Sequence, residues 1–152
     1  MKMRNIFFSP FALILALSFC SLGDRDSRKQ ESVKQALLRV FDLCKVSDYS
    51  RLAGYFVYRG HEKKRDWKDV YDASNEEEMR KVELLSAQIC GYLETHDSYE
   101  FVEFTIEKEP EGEWCVWKVA FKREEKTINV YFAFLKIKGN YAIGDIDLAL
   151  FE

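Results

Sequence analysis

Nearly two-thirds of the way along the chain the apolar residues change their spacing, and that change limits the fold more than any other feature. Up to about residue 95 they recur every three or four positions; from Tyr99 onward they alternate one by one. The first spacing gathers side chains on one stripe of a helix, the second on one face of a strand. A helical half followed by a strand half with short turns predicts an α+β domain, its helices packed on one face of a curved antiparallel sheet.

The first helix is predicted over Ser27 to Val46, where Val33, Ala36, Leu37, Val40, Phe41 and Cys44 share a face and Ser27 with Gln30 has the form of a capping box. Ser47-Asp48 breaks it. A shorter helix, Tyr49 to Tyr58, turns Leu52, Ala53 and Phe56 inward and stops at Arg59-Gly60. His61 to Asp72 is a charged connector holding Trp67, Val70 and Tyr71. Ser74 or Asn75 caps a third helix, whose first turn, Glu76, Glu77 and Glu78, complements the helix dipole. Its buried stripe is Met79, Val82, Leu85, Ile89 and Leu93.

Four strands follow, at Tyr99 to Lys108, Glu113 to Arg123, Thr127 to Lys138 and Tyr141 to Leu150. Connections as short as Glu124-Glu125 and Lys138-Gly139-Asn140 make them an antiparallel meander. Both faces of the third strand are apolar: Phe132 and Phe134 on one side, Tyr131, Ala133, Leu135 and Ile137 on the other. One face packs on the helices. The other is either covered by sheet curvature or a partner surface, and a homodimer through the sheet is one such use.

The N-terminus has a different character. Lys2 and Arg4 precede an uncharged, almost wholly apolar run from Ile6 to Phe19. That run is shorter than the ~20 residues a spanning helix needs, and its flanks are those of a cleaved export signal. Two cuts compete. Leu17-Ser18-Phe19-Cys20 resembles the lipobox of bacterial lipoproteins, with Cys20 lipidated, although Phe19 is larger than the usual residue before the cysteine. Ala16-Leu17-Ser18 offers an ordinary signal-peptidase site that leaves a soluble secreted or periplasmic protein starting at Phe19. The lipoprotein reading divides the chain into a signal peptide (1–19), a polar tether (20–32) and a single domain (33–152), held at the membrane of the bacterial cell envelope by an N-terminal lipid.

Charge and cysteine usage exclude several classes. Loss of Lys2 and Arg4 with the signal leaves 21 basic against 26 acidic residues, a net charge of −5. Such a balance argues against a nucleic-acid or anionic-membrane surface, and no nucleic acid is expected as a partner. With Cys20 lipidated, Cys44, Cys90 and Cys115 remain, too few for a disulfide scaffold. They read as small buried side chains, with one disulfide as the alternative. No histidine stands at zinc-ligand spacing from them, no glycine pattern cradles phosphate and no Gly-x-Ser-x-Gly elbow is present. No metal and no cofactor are expected.

Three stretches carry a resemblance to the nuclear transport factor 2-like superfamily: the helix break Ser47-Asp48-Tyr49-Ser50-Arg51-Leu52-Ala53, the run of long hydrophobic strands, and the ending from Phe134 through Lys138-Gly139-Asn140-Tyr141 to Asp147. The likeness spans about Val33 to Leu150. It implies helices packed into a bent antiparallel sheet to form a cone, as in small exported lipoproteins of uncharacterised role. The fold hosts enzymes and binding modules alike.

In enzymatic relatives the cone holds an Asp, His or Tyr, so carboxylates on a strand face are the natural catalytic candidates. Asp145 and Asp147 stand two apart on the last strand, on the predicted face of Tyr141 and Ile143, where each would raise the other's pKa and the pair could share general acid and base work. The plainer reading is a solvated strand end. Glu103 shares the alternation of Tyr99, Phe101 and Thr105 and becomes a site residue only if that face points inward. Tyr49, Tyr55 and Trp67 could line a pocket mouth for a small apolar ligand, or fill the seam between helices and sheet. The reading favoured is a non-catalytic, exported binding or interaction module. Its alternative is a small hydrolase- or isomerase-like enzyme with a carboxylate base in the cone pocket.

Overall fold

The computed structural model describes residues 11–60, 65, 68–110 and 112–149, with side chains from residue 23 to 148 of these. Helix α1 (Phe11–Lys45) is followed by α2 (Tyr49–Leu52), a single 3-10 turn (Ala53–Tyr55) and α3 (Glu76–Thr95). Strands β1 (Ser98–Glu109), β2 (Gly112–Arg123), β3 (Lys126–Ile137) and β4 (Asn140–Ala149) then form an antiparallel meander in the order β1-β2-β3-β4. Helices on one side of such a sheet are the α+β layout expected from the sequence and from the resemblance.

The apolar stripe of α1 is buried as its spacing requires: Val33, Leu37, Val40 and Phe41 are fully buried and Cys44 nearly so. Burying each of the aliphatic side chains stabilises the fold by roughly 1.5–3 kcal/mol. The helix starts well before Ser27, however. Ser27 Oγ donates to the carbonyl of Gly23 (2.8 Å) instead of capping, and Arg28–Asp24 and Gln35–Glu31 bonds one turn apart carry the helix through the polar stretch read as a tether. At the other end Ser47 adopts a left-handed backbone (φ 54°) while its N–H and that of Asp48 donate to the carbonyls of Cys44 and Leu43. This closes α1 as a C-cap, and Asp48 Oδ1 then accepts from Arg51 N (3.2 Å) to open α2.

The second helix ends at Tyr55, not Tyr58. Phe56 and Val57 are extended; Val57 N donates to the carbonyl of Ile143 (2.8 Å), and Val57 pairs with Val70. Bonding to the edge of β4 satisfies the same backbone groups as another helical turn, and it also buries Phe56 and Val57. Asn75 is the cap of α3, its Oδ1 accepting from the amides of Glu77 (3.0 Å) and Glu78 (3.3 Å).

Two β-bulges set which strand residues face the helices. In β1 the register slips between Phe101 and Glu103, so Phe101, Phe104 and Ile106 oppose Val119, Trp117 and Cys115 on the inner face. In β4 the pairing skips Gly144, so Ile143 and Ile146 both turn inward. Phe41 meets Tyr99 (5.1 Å between ring centroids) and Phe132 (5.8 Å), and Trp117 meets Phe101 (5.0 Å) and Phe104 (5.2 Å). These rings fill the inner face. On the outer face Val57, Trp114, Leu135, Ile137 and Ala142 form a second, smaller cluster against Val70. Gly144 makes it fit: a Cβ there would lie 2.5 Å from the Trp114 ring. The apolar side of β3 that read as a partner surface is thus partly covered by the chain's own edge segment.

Candidate functional site

At the end of the sheet that carries the β1–β2 and β3–β4 turns, the stretch of α1 from Arg25 to Arg39 stands beside the strands across an open cleft of about 1150 Å³. Arg25, Arg28, Lys29, Ser32, Gln35, Ala36 and Arg39 line one wall. They recur at helical spacing beside the buried stripe, over about 21 Å of helix at 1.5 Å per residue. Gly54 and Tyr55 close the top, and Glu113, Leu135, Lys136, Asn140 and Tyr141 form the facing wall. Among all the lining residues six cations, with Lys68 the sixth, stand against two carboxylates, Asp26 and Glu113. A chain of net charge −3 therefore presents a locally positive cleft.

One ion pair crosses the cleft. Lys29 Nζ bonds to Glu113 Oε1, joining α1 to the start of β2, and the Lys29 side chain is only 16% exposed. That bond holds the Lys29 ammonium above the ordinary lysine value and the Glu113 carboxyl below the usual carboxylate range. Burial raises the pKa of the Tyr141 phenol and pushes the Cys115 thiol up to about 11. Both groups are neutral at pH 7. Lys136 Nζ lies 5.7 Å from the centre of the Tyr141 ring. The cleft thus offers fixed positive charge, phenol hydroxyls and aromatic edges, a combination that suits an anion with an apolar part.

The carboxylates expected in the cone lie elsewhere. The bulge after Phe101 turns Glu103 outward, exposed and paired across the ladder with Lys118. The bulge at Gly144 does the same for the last strand: Asp145 and Asp147 sit opposite Ala133 and Tyr131, both exposed and on the face away from Tyr141 and Ile143. Asp145 Oδ1 accepts from the amide of Ile146 (3.0 Å), the solvated strand-end arrangement. It also borders a groove of about 330 Å³ between α3 and β4, lined mainly by apolar groups such as Phe56, Leu84, Leu85 and Ile143. Tyr55 is half-buried at the cleft; Tyr49 is half-buried against the core. Trp67, His61 and the side chain of Cys20 lie outside the described residues.

Among the described residues the buried carboxylate is that of Glu78. It accepts from Arg65 Nη1, from the amide of Asp72 (2.6 Å) and from Asn75 Nδ2 (3.3 Å). Arg65 stacks 4.1 Å over the Tyr58 ring and reaches the carbonyl of Val70. Every partner belongs to the connector or to the start of α3, so this network fastens the connector, and the same residues line a shallow, open depression of about 560 Å³. Of the cleft residues the sequence pointed to Tyr55 as a pocket-mouth candidate and not to the basic wall. Arg25, Arg28, Lys29 and Arg39 do carry a signal, a basic stripe at three-and-four spacing, but only the fold brings Lys136 and Tyr141 opposite to it.

Among the described residues no helix is long and apolar enough to cross a membrane, and no group of three or more His, Cys, Asp or Glu side chains could hold a metal ion. No protein-family model matches the chain, and no curated protein is similar to it. Among solved structures the chain is similar to a designed NTF2 protein, a variant of Rd1NTF2_05, with a TM-score of 0.48 and 11% identity over 80% of this chain and 99% of that one.

Proposed function

We propose that the protein is a non-catalytic binding module that takes a small anionic ligand, a carboxylate or phosphate ester with an apolar portion, in the cleft between α1 and the sheet end. The observation that carries this reading is the charge of the cleft, six cations against two carboxylates on an otherwise acidic chain. Two further features support it. The inner face of the sheet is filled by aromatic rings, and Glu103, Asp145 and Asp147 are exposed on the outer face. Neither arrangement favours an internal pocket with a carboxylate base.

The binding test is a calorimetric titration of aromatic carboxylates and phosphates against their uncharged amide or alcohol analogues. Anions should bind with an affinity that falls as salt is added. Arg39→Glu and Lys136→Glu should each weaken binding at least tenfold, about 1.4 kcal/mol. Neutral analogues that bind equally well, or charge reversals without effect, would remove the reading.

The export reading belongs to the same proposal. A lipid on Cys20 would sit about 8 Å along α1 from Arg25, which would hold the cleft close to the headgroup layer. Intact mass of the membrane-extracted protein checks this: a chain beginning at Cys20 and carrying acyl mass is the expected result. An unlipidated chain beginning at Phe19 would replace the anchor with simple secretion.

A further inference from the structure

We propose that Cys44 and Cys90 form a disulfide that cross-links the last turn of α1 to α3. Cys90 Sγ lies 3.4 Å from the carbonyl oxygen of Cys44, against which it donates, so α3 presents this thiol directly to the turn that bears Cys44. The Cys44 thiol interacts with the thiol of Cys90 and the hydroxyl of Ser86, both on α3. The two helices pack against each other along this seam. Cys115 is on β2, its thiol within the electrostatic reach of Lys29, Glu113 and Tyr141 at the cleft. All three cysteines in the described side chains are free thiols in the structure, and Cys44 and Cys90 are the two whose thiols interact with each other.

Exposure sets the order of the chemistry. Cys90 is half-buried and Cys44 is 1% exposed, so an external oxidant meets Cys90 first. The oxidant is a small or protein disulfide, such as oxidised glutathione. The Cys90 thiolate attacks one sulfur of it, forms a mixed disulfide and expels the other as a thiolate, which takes up the proton Cys90 gave to solvent. Cys44 then loses its proton and attacks the Cys90 sulfur, expelling the second thiolate. Two protein thiols become one disulfide, and one oxidant disulfide becomes two thiols. Burial and the neighbouring Cys90 push the Cys44 thiol up to about 12, which makes the second step the slow one at neutral pH. The cross-link does not depend on which ligand the cleft takes.

The test uses the chain from residue 20 with Cys20→Ser, so that three thiols remain, incubated in millimolar oxidised glutathione and then alkylated under denaturing conditions. The expected product carries one alkyl group in place of three and is about 2 Da lighter before alkylation, with the peptides of Cys44 and Cys90 joined. Its Tm should exceed that of the reduced chain by about 5–10 °C, a gain abolished by reductant. Cys115→Ala should leave the cross-link intact, and Cys90→Ala, at a half-buried position that tolerates the change, should abolish it. Three alkylated thiols after oxidation, a stable mixed disulfide on Cys90, or a cross-link through Cys115 would each overturn the assignment.

Discussion

Phe121→Ala should cost about 3–5 kcal/mol of stability, the range found when a large buried ring is cut back to a methyl. Phe121 is fully buried on β2's inner face, near the end of the strand. Its ring touches those of Tyr92 (5.5 Å), Tyr99 (6.0 Å), Phe41 (6.1 Å) and Phe132 (6.4 Å), and so joins α3, β1, α1 and β3 in one contact set. Rings held by four elements cannot all close on a new void, which places the expected loss in the upper part of that range. Phe121→Leu, which keeps most of the volume, should cost under half as much. Urea unfolding of the two variants at pH 7 decides the matter. A loss below 1 kcal/mol for the alanine variant would mean that the inner face is not packed as described.

Glu78→Ala should cost about 3 kcal/mol, the lower end of the 3–5 kcal/mol seen when one member of a buried ion pair is removed. The Glu78 side chain is 5% exposed and that of Arg65 19%. Removal strands the Asp72 amide and takes one carboxylate from Arg65, which retains Asp69 and the Val70 carbonyl. Those remaining contacts are the reason for the lower figure. Glu78→Gln keeps the acceptor for the Asp72 amide and should recover part of the loss. Replacing both partners, Arg65→Met with Glu78→Met, should cost less than Glu78→Ala, since the desolvation cost of both charges disappears with their attraction, while the Asp72 amide still loses its acceptor. Chemical denaturation of the three variants reads this directly; a double variant as unstable as Glu78→Ala would refute it.

The helix stripes and the hairpin turns were legible because each depends on neighbours three or four positions away, or on two residues at a tip. Val33, Leu37, Val40 and Phe41 need no distant partner to declare a face, and Lys138 and Gly139, both at positive φ, spell out the last turn. The bulges were not read, because one unpaired residue reverses every face beyond it. Glu103 and Thr105 continue the alternation of Tyr99 and Phe101 on paper, yet Phe104 and Ile106 are the residues that turn inward. The three-residue step from Ile143 to Ile146 across Gly144 was the available warning, since glycine inside a strand often marks a bulge. The cleft was the least legible part. Its walls come from residues 25–39, 54–55, 112–113 and 135–141, and no local pattern links them.

The bulge at Val102 also bears on how copies of this protein behave at high concentration. Among the described residues β1 has a partner strand on one side only, and an unpaired strand edge is a template on which a second chain can add. Here the unpaired Val102 interrupts that edge after its first four residues. Glu100, Glu103, Glu107 and Glu109 repeat negative charge along the same strand. A second β1 laid alongside would meet a broken hydrogen-bond ladder and a row of like charges. The irregularity that hid the orientation of Glu103 thus also guards the chain against edge-to-edge fibre growth.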